Sequence, residues 1–274
     1  MPKTPHFYLW IHGEAHSGTG DFEVRNPYND TCIATASMAG HKEVREAVIS
    51  ACKAAGKLGA MSRYARSTLL RDIAEGMEES RGEIVDALIV EGGKPRQFAE
   101  LELERSIAVF SWAAEEARRF CGTQVPMDGM QRGEGYEGYT RREPIGPILG
   151  ITPFNFPLNL VAHKVAPALA VGNPIIIKPA SATPISALLL ARIISDAGAP
   201  AGSLNVLPMG HDEVAVLDVG LPAWKALILN WVPLAVATVS TAVCLPIQVI
   251  TVLLCPLVMG TACWITLAQY LILT

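Results

Sequence analysis

The order of apolar and polar positions divides the chain into three stretches. Over residues 7–35 apolar and polar residues alternate, broken by turn residues at Gly13, Gly18-Thr19-Gly20 and Asn26-Pro27. A period of two with such punctuation predicts short strands. From residue 41 the period lengthens: Val44, Val48, Ala51, Cys52 and Ala55 recur at helical spacing over 41–57, and Gly59 follows. A second helix is expected over 63–91, closing on Gly92-Gly93. A third is expected over 95–120, with Leu101, Ile107, Phe110 and Ala114 on one side and Gly122 near its end. Residues 124–143 are rich in glycine and charge and predict a hairpin.

From Pro144 the pattern changes again. Ile145–Ile151, Ile175–Lys178 and Leu204–Leu207 are short apolar runs that read as buried strands. Between them lie Leu158–Ala170 and Pro184–Ala197, two helical patterns, each with a proline near its first turn. Gly172-Asn173-Pro174 closes the first of them. Strands alternating with helices in this way predict an α/β fold: a parallel sheet with helices on both faces, preceded by a helical and hairpin segment. The third stretch is defined by what it lacks. Every Asp, Glu, Lys, Arg and His lies at or before Lys225, so residues 226–274 carry none. A soluble domain normally has about a quarter of its residues charged. The boundaries read from these patterns are 1–143, 144–218 and 219–274.

The formal net charge of −4 gives no electrostatic footprint for nucleic acid. Cys32, Cys52, Cys121, Cys244, Cys255 and Cys263 form no CxxC pairs and have no histidines at zinc spacing. The pattern argues against a structural metal and against a secreted disulfide framework. Met1-Pro2-Lys3-Thr4-Pro5 lacks the apolar run of a signal peptide, and the charged body reads as cytoplasmic.

Polar groups appear where a parallel sheet presents them to ligands, at the carboxyl ends of its strands. Asn155 lies in Pro153-Phe154-Asn155-Phe156-Pro157, directly after the first strand. A rigidly held amide in an apolar setting can donate to negative charge developing on a substrate oxygen. The plainer alternative is an asparagine that satisfies backbone groups in a tight turn. Lys178 ends the second strand, placed either for a nucleotide or simply as a strand cap. No G-x-G-x-x-G follows any of the three strands; Gly146, Gly150 and Gly172 do not supply it.

Ile151-Thr152-Pro153-Phe154-Asn155-Phe156-Pro157 and Lys178-Pro179-Ala180 resemble motifs of the aldehyde dehydrogenases, and the resemblance covers about residues 7–218. It implies a Rossmann-like coenzyme domain within an incomplete aldehyde dehydrogenase fold, with 124–143 as the hairpin through which subunits associate into a homo-oligomer. It also implies oxidation of a small aldehyde to a carboxylic acid with NAD or NADP. By resemblance Asn155 is the oxyanion-hole amide. Ile151, Thr152, Pro153 and Phe154 line the nicotinamide side, Lys178 holds the adenosine ribose, and Gly210 brings backbone close to the adenosine. Many NAD-preferring members carry a glutamate where this chain has Ser181, and loss of that carboxylate removes repulsion against a 2′-phosphate. The run Pro157-Leu158-Asn159-Leu160-Val161-Ala162-His163-Lys164 is more like the branch acting on small hydroxy- or phosphono-aldehydes.

The family's covalent chemistry needs a cysteine in a Gly-Gln-x-Cys context and a glutamate in Leu-Glu-Leu-Gly-Gly. Neither motif occurs in the 274 residues. Cys263, in Gly260-Thr261-Ala262-Cys263, has apolar flanks that favour an inert thiol. The expectation is an inactive polypeptide. Three readings of the charge-free tail stay open. It forms membrane helices over 234–255 and 257–273, tethering the chain. Alternatively it is a frameshifted or chimaeric sequence, or it packs as strands rich in Val, Ile, Thr and Leu.

Overall fold

The computed structural model describes residues 4–210, and residues 226–230 and 248–252 as backbone. The alternating first stretch forms β1 (His6–Phe7), β2 (Leu9–Ile11), β3 (Glu14–His16), β4 (Gly20–Arg25) and β5 (Cys32–Met38). These strands do not stay together. β1, β5 and β4 make a small three-stranded sheet, whereas the β2–β3 hairpin joins the main sheet of the molecule.

Four helices follow: α1 (His41–Ala60), α2 (Arg63–Glu79), α3 (Arg81–Gly92) and α4 (Arg96–Arg119). The single helix expected over 63–91 is two, broken at Ser80, which ends α2 and begins α3. Its backbone sits at φ −89° and ψ 13°, off helical geometry. A serine followed by Arg81-Gly82 favours such a break, since serine and glycine support helix interiors poorly. α4 buries Phe110 and Ala114 as its spacing predicts, but Leu101 is exposed; the inner positions are Ala99, Glu102, Leu103 and Ser106. The expected hairpin is β6 (Gln124–Val125) paired antiparallel with β7 (Gly138–Tyr139).

The remaining described elements are β8 (Ile148–Ile151), α5 (Asn159–Ala170), β9 (Ile175–Lys178), α6 (Ile185–Asp196), β10 (Leu204–Val206), β11 (Ala226–Asn230) and β12 (Gln248–Val252). β8 starts three residues later than expected. Pro144 and Pro147 cannot donate to a ladder, and Gly146 at φ 106° turns the chain before it enters the sheet. The main sheet runs β12-β11-β8-β9-β10-β2-β3; its first five strands are parallel, and β2 adds antiparallel to β10. In chain order the parallel strands stand 3-2-1-4-5, the order of a doubly wound nucleotide-binding sheet.

Ten residues of the charge-free tail are thus strands in the fourth and fifth places of that sheet. Residues 248–252 fall inside the first expected membrane helix and are strand instead. The rest of both expected spans, and Cys263, lie outside the described residues. Among the described residues no helix is long and apolar enough to cross a membrane.

Strand side chains alternate between two cores. Ile148, Ile175, Ile177, Leu204 and Val206 join the larger one with α2 to α6. Leu149, Ile176 and Leu207 face α1 with Leu9 and Ile11. Helices therefore cover both faces of the sheet. At Gly150 any Cβ would lie 2.7 Å from Ile177 Cδ1 and 3.0 Å from Lys164 Cδ, so the missing side chain leaves room for a buried lysine stem.

Candidate functional site at the carboxyl edge of the sheet

The strand order reverses beside β8: the chain leaves it on one side through β9 and β10 and returns on the other to form β11. At such a switch point the loops diverge and open a crevice at the carboxyl ends of the strands. Every site residue expected from sequence lies along this edge. Ile151 pairs with Lys178 across the β8–β9 ladder. The Thr152 amide donates to the Lys178 carbonyl at 3.1 Å, and Leu207 donates to Ile177 at 2.9 Å. The Ser181 hydroxyl donates to the Met209 carbonyl at 2.9 Å, so the ends of β9 and β10 are tied together one residue before Gly210.

Asn155 is exposed, and among the described residues its carboxamide makes no hydrogen bond. This does not match an asparagine engaged in satisfying its own turn. Phe154 is 66% exposed and Phe156 is also exposed, so the amide stands between two accessible rings. Thr152 is buried and Ile151 and Pro153 are half-buried beneath the loop. Lys178 is only 3% exposed, and burial pushes its ammonium below the usual lysine range. Two buried side-chain oxygens, Asn159 Oδ1 at the start of α5 and Thr183 Oγ1 in the loop before α6, have no partner among the described residues. An edge holding an unengaged amide, a desolvated cation and unpartnered buried oxygens fits a polar ligand such as a dinucleotide.

Both crossover helices begin here, and neither supplies its own cap. α5 starts after Leu158 and α6 after Pro184, with no side-chain cap on either. Their first amides are taken by buried glutamates from the preceding helices. Glu102 Oε1 on α4 accepts from Leu158 at 3.0 Å and from Asn159 at 3.1 Å. Its other oxygen is paired with Lys94, whose ammonium lies 4.6 Å from the centre of the Phe156 ring. Glu91 on α3 accepts from Ile185 at 2.7 Å and Ser186 at 3.0 Å, one per oxygen. Burial pushes the Glu91 carboxyl up to about 7, with these amide bonds opposing it.

Deeper in α5, burial lowers Lys164 to about 7. Burial, with the neighbouring Lys164 charge adding to it, lowers His163 to about 4, so the ring is neutral at physiological pH. None of these groups was singled out from sequence, although the spacing marks them. Ile84, Leu88 and Glu91 recur at i, i+4 and i+7; Ala99, Glu102 and Ser106 do so at i, i+3 and i+7; Val161, Lys164 and Val165 share one face.

Fold and edge together define the class: a doubly wound sheet of nucleotide-binding order with a proline-braced amide at its switch point. The chain belongs to the aldehyde dehydrogenase family, whose model matches residues 10–219. It is 36% identical over 214 residues to the 3-sulfolactaldehyde dehydrogenase of Priestia aryabhattai, covering 78% of this chain and 44% of that protein. Aldehyde dehydrogenase 21 of Physcomitrella patens, solved in complex with the reaction product succinate, superposes with a TM-score of 0.80 at 35% identity, covering 83% of this chain and 48% of that one. An NADP-dependent enzyme of E. coli superposes with a TM-score of 0.78 at 31% identity, covering 83% and 47%. The chain thus spans under half the length of the curated relative and of the solved structures.

Proposed function

We propose that this chain carries the cofactor-binding edge of an NAD(P)-dependent aldehyde dehydrogenase and does not by itself complete the oxidation of an aldehyde to a carboxylic acid. The observation that carries this reading is the unengaged Asn155 carboxamide at the switch point, with the buried Lys178 one strand away. Asn155 donates to the oxygen of a small aldehyde, where an amide N–H favours developing negative charge. Lys178 holds the ribose hydroxyls of NAD or NADP; Ile151, Thr152, Pro153 and Phe154 form the nicotinamide wall, and Gly210 lies against the adenosine. The cofactor, when bound, supplies the hydride acceptor.

Ser181 spends its hydroxyl on Met209 and brings no carboxylate to this position, so a 2′-phosphate meets no repulsion from it. The NADP-dependent structural relative agrees with that reading. No Gly-Gln-x-Cys or Leu-Glu-Leu-Gly-Gly motif lies within the 274 residues, which leaves the nucleophile and the general base unsupplied. The hairpin at 124–143 exposes Val125, Met127, Met130, Tyr136 and Tyr139, an apolar set that suits subunit association in the cytoplasm.

Fluorescence titration with NADH and NADPH tests the core of the proposal. Both are expected to bind, and Lys178→Met is expected to weaken both about tenfold, the loss of roughly 1.4 kcal/mol. Absence of binding by either would remove the cofactor reading. Reduction of NAD or NADP by the purified chain with short aldehydes would overturn the inactivity.

A further inference from the structure

The Lys94–Glu102 pair touches the loop that carries Asn155 at three places, all within four residues of the amide. Glu102 accepts from the Leu158 and Asn159 amides, and Lys94 lies over the ring of Phe156, the residue next to Asn155. At its other end the loop is fixed by the Thr152 amide on Lys178. Among the described residues the Asn155 carboxamide has no hydrogen bond, so the backbone of its loop sets where it stands. Lys94 is itself delivered by a rigid turn. Gly93 sits at φ 63°, a Cβ there would lie 2.8 Å from Pro27 Cγ, and Pro95 follows. Glu102 is 2% exposed, and it spends one oxygen on Lys94 and the other on the two amides.

We infer that Glu102 and Lys94 are positioning residues for Asn155: they hold the Pro153–Pro157 loop so that its amide faces the carbonyl oxygen of the aldehyde. The inference rests on the proposed role of Asn155, but it concerns only how that amide is held. Glu91 provides an internal control, because it caps α6 and, among the described residues, makes no hydrogen bond with the Asn155 loop.

The test uses the full chain labelled with ¹⁵N, with the Asn155 carboxamide signals assigned by their loss in Asn155→Asp. Glu102→Ala and Lys94→Met are expected to shift and broaden those signals while the Ile185 and Ser186 amides keep their wild-type positions. Glu102→Gln, which keeps an acceptor oxygen, is expected to shift them less than Glu102→Ala. Glu91→Gln is expected to do the reverse, moving Ile185 and Ser186 and leaving Asn155. A cap that only stabilises the fold would lower the unfolding midpoint without this split. Unmoved Asn155 signals in folded Lys94→Met would overturn the inference even if Glu102→Ala does not fold. NADPH titration of the wild-type chain separates the two questions: failure to bind sinks the functional proposal, while the Asn155 signals decide the positioning.

Discussion

The amino termini of α5 and α6 solve one problem in two ways. Each crossover helix begins at the carboxyl edge of the sheet without a side-chain cap of its own. Each receives a buried carboxylate from a helix earlier in the chain. At α5 that carboxylate has a cation: one Glu102 oxygen holds both amides and the other holds Lys94. At α6 Glu91 divides its oxygens between two amides and faces no cation among the described residues; Glu102 adds repulsion. Amide bonds favour the anion and burial favours the neutral acid, and at Glu91 burial wins. At α5 the Lys94 cation connects the cap to Phe156 and hence to the Asn155 loop. The α6 cap has no such connection.

Removing the better-compensated cap has the largest expected effect. Glu102→Ala leaves the first amides of α5 without an acceptor and Lys94 without its counter-ion. Loss of one partner from a buried pair destabilises by about 3–5 kcal/mol. A urea unfolding midpoint should fall accordingly. A fall no larger than that of an exposed substitution would mean that the Glu102 contacts are not maintained in solution.

Lys94→Met converts the α5 end into a copy of the α6 end. Glu102 keeps its amides but loses its cation, and a methionine of similar length still covers Phe156. The expected loss is about 2–3 kcal/mol at neutral pH, in the range for a hydrogen bond to a charged group. A midpoint within about 0.5 kcal/mol of wild type would show that Lys94 is not what distinguishes the two caps.

The βαβαβ portion was legible because its periods are unambiguous: three short apolar runs, two helical patterns, and prolines and glycines at the joints. The boundary at Ser80 was missed because the apolar spacing runs through it. Strand order was not legible, since alternation identifies a strand without naming its neighbour; β2–β3 therefore moved to the edge of the main sheet unannounced. Asn155 and Lys178 stood out because motif and strand end coincide. Glu91, Glu102 and Lys164 did not, because a charge at a core-facing helical position draws attention only once its partner on another element is known.

Glu91→Gln should have a smaller effect that depends on pH. The Glu91 carboxyl has a folded-state value of about 7, above its ordinary value of 4.5. The fold therefore holds that proton more tightly than the unfolded chain does. Its contribution is complete below about 4.5 and is lost as pH rises through about 7. His163 acts oppositely, adding stability as pH rises from about 4 to 6.5, but this cancels when variant and wild type are compared at each pH. Glutamine resembles the neutral acid at every pH. The variant should therefore gain on wild type by on the order of 1–2 kcal/mol between pH 5 and pH 7.5. A constant difference between the two would show that Glu91 does not titrate there.

Asn155→Ala should change stability least. The side chain is exposed and makes no hydrogen bond among the described residues, so its removal should fall within about 0.5 kcal/mol of wild type. An asparagine that satisfied its own turn would cost closer to 1 kcal/mol on truncation, the usual net worth of one hydrogen bond. The urea midpoint thus separates the two readings that the sequence left open. An unchanged midpoint is the pattern of an amide reserved for a ligand, one whose position comes from Glu102 and Lys94 rather than from contacts of its own. A loss near 1 kcal/mol would restore the turn reading and remove the motive for placing an oxyanion donor at this edge.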